Sequence, residues 1–136
     1  MNLAVSPPVN DSTLKVLLVE DSRVLADRLM ELIDQTATVD LVAHVDNERD
    51  AVALLRGRHV DVVILDLQLR QGTGFGVLKS LPKADHRPRV IVLTNYDLPV
   101  YRREATHLGA DYFLDKSREY HRVPEILESL SAADAG

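Results

Sequence analysis

The sequence predicts an α/β domain: a doubly wound five-stranded parallel sheet in the order 2-1-3-4-5. Three short runs, Lys15–Val19 (KVLLV), Val62–Leu65 (VVIL) and Val90–Leu93 (VIVL), are apolar and β-branched without alternation. Strands buried on both faces, as in the middle of a parallel sheet, read this way. Stretches with apolar residues at helical spacing alternate with these runs, and the connections are short, as in right-handed β-α-β crossovers. The three most apolar strands belong in the centre. The weaker runs Val39–Val45 and Tyr112–Leu114 then fall at the edges, which sets the order.

Residues 1–12, with Ser6-Pro7-Pro8 and Asn10-Asp11-Ser12, offer little to bury and read as a flexible tail before a domain over 13–131. After the first strand and Glu20-Asp21, Ser22 is a natural helix N-cap. Leu25, Leu29, Leu32 and Ile33 carry the helix to about Gln35. The second strand alternates and carries charge, as an edge strand does. A helix over Asn47–Arg56 turns Ala51, Val52 and Leu55 inward, with Gly57 as its stop. Val60 leads into the third strand, which ends abruptly at Asp66. A reversal containing Gly72 and Gly74 follows, then a short helix from Phe75 to Leu81, ended by Pro82. The fourth strand stops at Thr94. Pro99 opens a helix carrying Tyr101, Ala105 and Leu108 on one face, closed by Gly109. The fifth strand ends at Asp115-Lys116. The last helix holds Val123, Ile126, Leu127 and Leu130, with Pro124 in its first turn, and residues 132–136 are expected to fray.

At 136 residues the chain is long enough for one domain with a substantial core. A net charge of -5 argues against a non-specific nucleic-acid binder, which would show a basic face. With no cysteine there are no disulfides or thiolate metal sites, which fits a reducing cytoplasm. No apolar run is long enough to cross a bilayer.

In a parallel sheet the carboxyl ends of the strands share one rim, where ligands of open α/β sheets bind. The residues closing four of these strands are Glu20-Asp21, Asp66, Thr94 and Lys116. Singly, each has an ordinary reading. The acidic pair favours the dipole of the following helix, a threonine ends many strands, and most lysines are solvated. Together they gather three carboxylates, a hydroxyl and an ammonium. Clustered carboxylates need a cation, and hard oxygen donors of this kind suit Mg²⁺, which keeps coordination positions for a phosphate. The ammonium and hydroxyl suit the remaining phosphoryl oxygens.

From about Leu14 to Leu130 the chain resembles a receiver domain of the bacterial two-component response regulators, the CheY-like family. The resemblance lies in VLLVED, VVILDLQLRQGTGF, VIVLTN and GADYFLDK, in that order. It implies a flavodoxin-like (β/α)5 fold. It also implies that Asp66 takes a phosphoryl group from the phosphohistidine of a sensor histidine kinase or phosphotransfer protein. By the same resemblance, Asp21, Asp66 and the backbone carbonyl of Gln68 ligate Mg²⁺ (or Mn²⁺), and Glu20 acts directly or through water. Lys116 neutralises the phosphoryl oxygens, Thr94 closes on them, and Phe113 is the switch aromatic. Two positions depart from the family's pattern: Ser117 stands where proline is usual, and Asn95 where a small residue is common.

The few residues after Leu130 are too few for an output module. The expectation is therefore a stand-alone cytoplasmic signalling protein, not an enzyme beyond its part in phosphotransfer and its own dephosphorylation. Its output would pass to a partner protein through the face of the Pro99–Leu108 helix, the Tyr112–Leu114 strand and the last helix, which carries Tyr101, Tyr120 and His121. Neither DNA nor membrane is an expected partner, and the protein should be a monomer or a weak phosphorylation-dependent dimer. A docking module that is never phosphorylated has no reason to keep clustered like charges. A phosphohydrolase using Asp66 as nucleophile would commonly carry a second acid two residues on, where Gln68 stands. A flavodoxin would need a phosphate-cradling loop after the first strand, and none is present.

Overall fold

A computed structural model of the chain describes residues 13–83, 85–96 and 98–135. The tail expected over residues 1–12 lies outside them. Five strands pair in parallel in the order β2-β1-β3-β4-β5, with β1 at Leu14–Val19, β2 at Val39–Val45, β3 at Val62–Leu65, β4 at Arg89–Thr94 and β5 at Tyr112–Asp115. The helices are α1 (Arg23–Asp34), α2 (Glu48–Gly57), α3 (Gly74–Ser80), α4 (Pro99–His107) and α5 (Val123–Ala135), the last preceded by a 3-10 turn over Tyr120–Arg122.

The alternation of side chains along a strand divides the core into two layers. Val16, Leu18, Val62, Ile64, Ile91, Leu93 and Leu114 pack on one face against α1 and α5, through Leu29, Ile33, Val123, Ile126 and Leu127. Their neighbours Leu17, Val19, Val63, Leu65, Val90 and Val92 pack on the other face against α2, α3 and α4, through Ala51, Val77, Leu78 and Ala105. The middles of the central strands are thus apolar without alternation because both faces are covered. β2 is only partly buried along most of its length, as its charge predicts. Its pairing with β1 slips by one residue between Val16 and Leu17.

Loop aspartates tie down the lower ends of the central strands. Asp61 Oδ2 accepts from Lys15 N at 2.8 Å, and Asp111 Oδ2 accepts from Val90 N at 2.8 Å. At the upper end Ser22 caps α1 by accepting from Leu25 N, and Thr73 caps α3 by accepting from Gly76 N.

Several boundaries differ from the sequence reading. Asn47 is the cap of α2 rather than its first residue, and Gly57 is the last helical residue, followed by an extended Arg58. Gly57 is therefore not a left-handed stop; positive φ among the described glycines belongs to Gly72 and Gly109. On α2, Leu54 packs against the core with Ala51 and Leu55, whereas Val52 faces a surface groove. The third helix sits one residue earlier than expected, because Thr73 supplies its cap. The last helix runs from Val123 to Ala135, through alanines that are the strongest helix formers.

Candidate functional site

The strand ends meet as the topology requires. β1 runs out into Glu20 and Asp21, β3 into Asp66, β4 ends on Thr94, and Lys116 follows β5. One oxygen from each of Glu20, Asp21 and Asp66 lies within 4.8 Å of the others. Lys116 Nζ donates to Asp66 Oδ2 at 2.7 Å and to Glu20 Oε2 at 2.9 Å. A cleft of ≈ 230 Å³ opens over the group, lined by Asp21, Asp66, Gln68, Leu69, Arg70, Asn95 and Lys116.

Asp66 is held from its own loop as well. Its Oδ1 accepts from Gln68 N at 3.1 Å, and Gln68 bridges to Thr73 across the turn. The turn is drawn tightly beneath Asp66 by Gly74, whose N–H reaches Leu67 O at 2.9 Å. A Cβ on Gly74 would collide with the Asp66 carbonyl oxygen and Leu67 Cα, so glycine is required there for close approach. Glu20 is fixed by the cap turn, where its Oε2 also accepts from Ser22 N at 2.8 Å.

Glu20 is 2% exposed and Asp66 4%, so the electrostatics here are those of a partly dry site. Burial pushes the Glu20 carboxyl above its ordinary pKa of 4.5, against the opposing hydrogen bonds from Lys116 and Ser22. For Lys116, burial acts to lower the pKa, but hydrogen bonds to Asp66 and Glu20 outweigh it and leave the group above 10.5. A raised ammonium pKa means that the stabilisation is complete below 10.5 and is lost only as pH rises through the higher folded value. At neutral pH Lys116 is a fixed cation, not a base. Three carboxylates against this one ammonium leave two formal negative charges, which one divalent cation would balance. The donor set is all oxygen, which fits Mg²⁺ or Mn²⁺ and not a soft metal.

Thr94 is fully buried, next in the chain to the cleft residue Asn95, and its Oγ1 accepts from Tyr96 N at 3.2 Å. Phe113 is half-buried, with the Arg102 guanidinium 4.5 Å from its ring centre. The Lys116–Ser117 peptide is trans. Of the aromatics assigned to the output face, Tyr101 packs against Phe75 and Tyr96 and Tyr120 accepts from Arg28. His121 is exposed. Sequence reasoning missed Arg70, an exposed cation at the mouth of the cleft. Only its place four residues after Asp66 could have pointed to it.

Fold and rim together define a doubly wound α/β domain with an acidic, lysine-bearing site at the carboxyl edge of its sheet. The chain belongs to the response regulator receiver domain family, whose model matches residues 16–128, and is thus a receiver domain of the two-component systems. It is 30% identical over 115 residues to the sensory transduction protein LytT of Bacillus cereus, covering 85% of this chain and 46% of that one. It is 40% identical over 102 residues to the transcriptional regulatory protein CpxR of Klebsiella pneumoniae, covering 75% and 42%. The chain thus spans about half the length of these relatives. In structure it is similar to the response regulatory domain of protein mrkE from Klebsiella pneumoniae, with a TM-score of 0.79 at 24% identity over 88% of this chain and 97% of that one. The Mn(2+)-bound form of response regulator Rcp1 is also similar, with a TM-score of 0.71 at 21% identity over 87% and 91%. Among the described residues no helix is long and apolar enough to cross a membrane.

Proposed function

We propose that Asp66 accepts a phosphoryl group from a histidine kinase or phosphotransfer protein, with Mg²⁺ held by Asp21, Asp66, the backbone carbonyl of Gln68 and, directly or through water, Glu20. The observation that carries this reading is the Lys116 ammonium 2.7 Å from Asp66 Oδ2, in a cleft whose remaining charge calls for a divalent ion. One Asp66 oxygen attacks phosphorus, the P–N bond of the phosphohistidine breaks, and the leaving imidazole keeps the electron pair and takes up a proton. A bound cation would offset charge on the phosphoryl oxygens. Lys116 then transfers its hydrogen bond from Asp66 Oδ2 to a phosphoryl oxygen and stabilises the charge developing there. Arg70 at the cleft mouth attracts the incoming anion.

Thr94 is the nearest buried hydroxyl on the neighbouring strand, and turning it towards the new group breaks its bond from Tyr96 N. In this reading Phe113, on the adjacent strand, turns into the space Thr94 leaves, and the change reaches the α4–β5–α5 face, where an output protein reads it. The experiment is labelling from a small phosphodonor, with and without chelator. A base-labile, acid-stable label that requires Mg²⁺ is expected. Undiminished labelling in excess chelator would contradict the proposal.

A further inference from the structure

We propose that Asn95 and Ser117 are a positioning pair that holds Lys116 over Asp66, an inference that rests on Asp66 being the phosphoacceptor. The β4–β5 pairing ends at Thr94 and Asp115, yet the two chains stay joined beyond it. Lys116 N donates to Thr94 O at 2.9 Å, and Ser117 Oγ donates to Asn95 Oδ1 at 3.0 Å. Two successive residues of one loop are thus tied to two successive residues of the other. Asn95 itself lines the cleft, so this side-chain bond closes the wall beside Asp66.

The turn behind the bond is stiff. Asp115 Oδ1 accepts from Ser117 N at 2.9 Å and from Arg118 N at 2.9 Å. Asp115 N in turn donates to Glu119 Oε1 at 2.9 Å, and Glu119 N returns to Asp115 O at 2.8 Å. A proline at 117 would restrain the backbone through its ring but could neither donate an N–H to Asp115 nor reach Asn95. Here hydrogen bonds supply the restraint. Lys116 needs it because its side chain is long and flexible. Its head reaches Asp66 and Glu20 in the resting protein only from a backbone held in place, and the same placement has to serve once a phosphoryl group takes Asp66 Oδ2. From then on the stem must keep the ammonium within reach of the new oxygens, and the stem is anchored through the Asn95–Ser117 bond.

The test compares wild type with Ser117→Ala, Ser117→Thr, Asn95→Ala and the Ser117→Ala/Asn95→Ala double variant. Two quantities are read: water exchange of the Lys116 ammonium protons by NMR in the metal-free protein, and the rate of labelling from acetyl phosphate with Mg²⁺. Faster exchange and roughly 3- to 10-fold slower labelling are expected in both alanine variants, the size of one net hydrogen bond. Ser117→Thr keeps the hydroxyl and should match wild type. The double variant should be no worse than either single one, because both remove the same bond. Unchanged ammonium exchange in Ser117→Ala, or losses that multiply in the double variant, would overturn the pair. If wild type takes no label, the phosphoacceptor reading fails instead, and the exchange comparison still decides the pairing.

Discussion

At the scale of the residue, Lys116 has two separable duties. It is the counter-charge to two buried carboxylates in the resting protein, and in our proposal it stabilises the phosphoryl group during transfer. Lys116→Ala leaves Glu20 and Asp66 buried without their counter-charge, a loss of about 3 kcal/mol. A lowered melting temperature is therefore expected in chelator, largely restored by millimolar Mg²⁺. Labelling of Asp66 should stay slow, by about 10²-fold, even where Mg²⁺ restores stability. Calorimetry with and without the ion separates the duties; a melting temperature equal to wild type in chelator would show that the pair carries no such weight. These residues were legible in the sequence because each one closes an apolar strand, and parallel topology sends all strand ends to one rim. The Asn95–Ser117 bond and the placing of Arg70 were not legible. They depend on how loop side chains turn across gaps with no period to read.

At the scale of the element, the strands and helices followed from apolar spacing, and the errors fell at helix ends and in the inward face of α2, where Leu54 rather than Val52 meets the core. The third helix began a residue early because Thr73, not the glycine pattern, sets its start. The last helix runs on to Ala135, because nothing in its alanine-rich finish stops a helix. Ser22→Ala removes the oxygen that accepts from Leu25 N and should cost about 1 kcal/mol, read as a shifted denaturation midpoint with an unchanged slope. On α5, Leu127 is fully buried against the sheet, and Leu127→Ala should cost about 2–5 kcal/mol. A cost below about 1 kcal/mol would mean that α5 is less firmly docked than its packing requires.

At the scale of the whole molecule, one sheet serves two ends. Its buried body fixes the strand ends, and its carboxyl rim carries the acidic, lysine-bearing cluster. Phe113, under the Arg102 guanidinium of α4, belongs to β5, three residues before Lys116. Coupling through Thr94 predicts that a beryllium fluoride phosphoryl mimic shifts the Phe113 ring signals in wild type and far less in Thr94→Ala. An equal response in both would send the signal by another route. Such coupling needs two states biased by the same group, not proximity alone. All of it depends on a phosphoryl group reaching one carboxylate. The most direct measurement is peptide mapping by mass spectrometry after incubation with a phosphodonor and Mg²⁺, for wild type and Asp66→Asn. The account predicts a single phosphoryl adduct on the peptide containing Asp66, and none in the variant. An adduct that persists in Asp66→Asn, or one mapped to another residue in wild type, would contradict it.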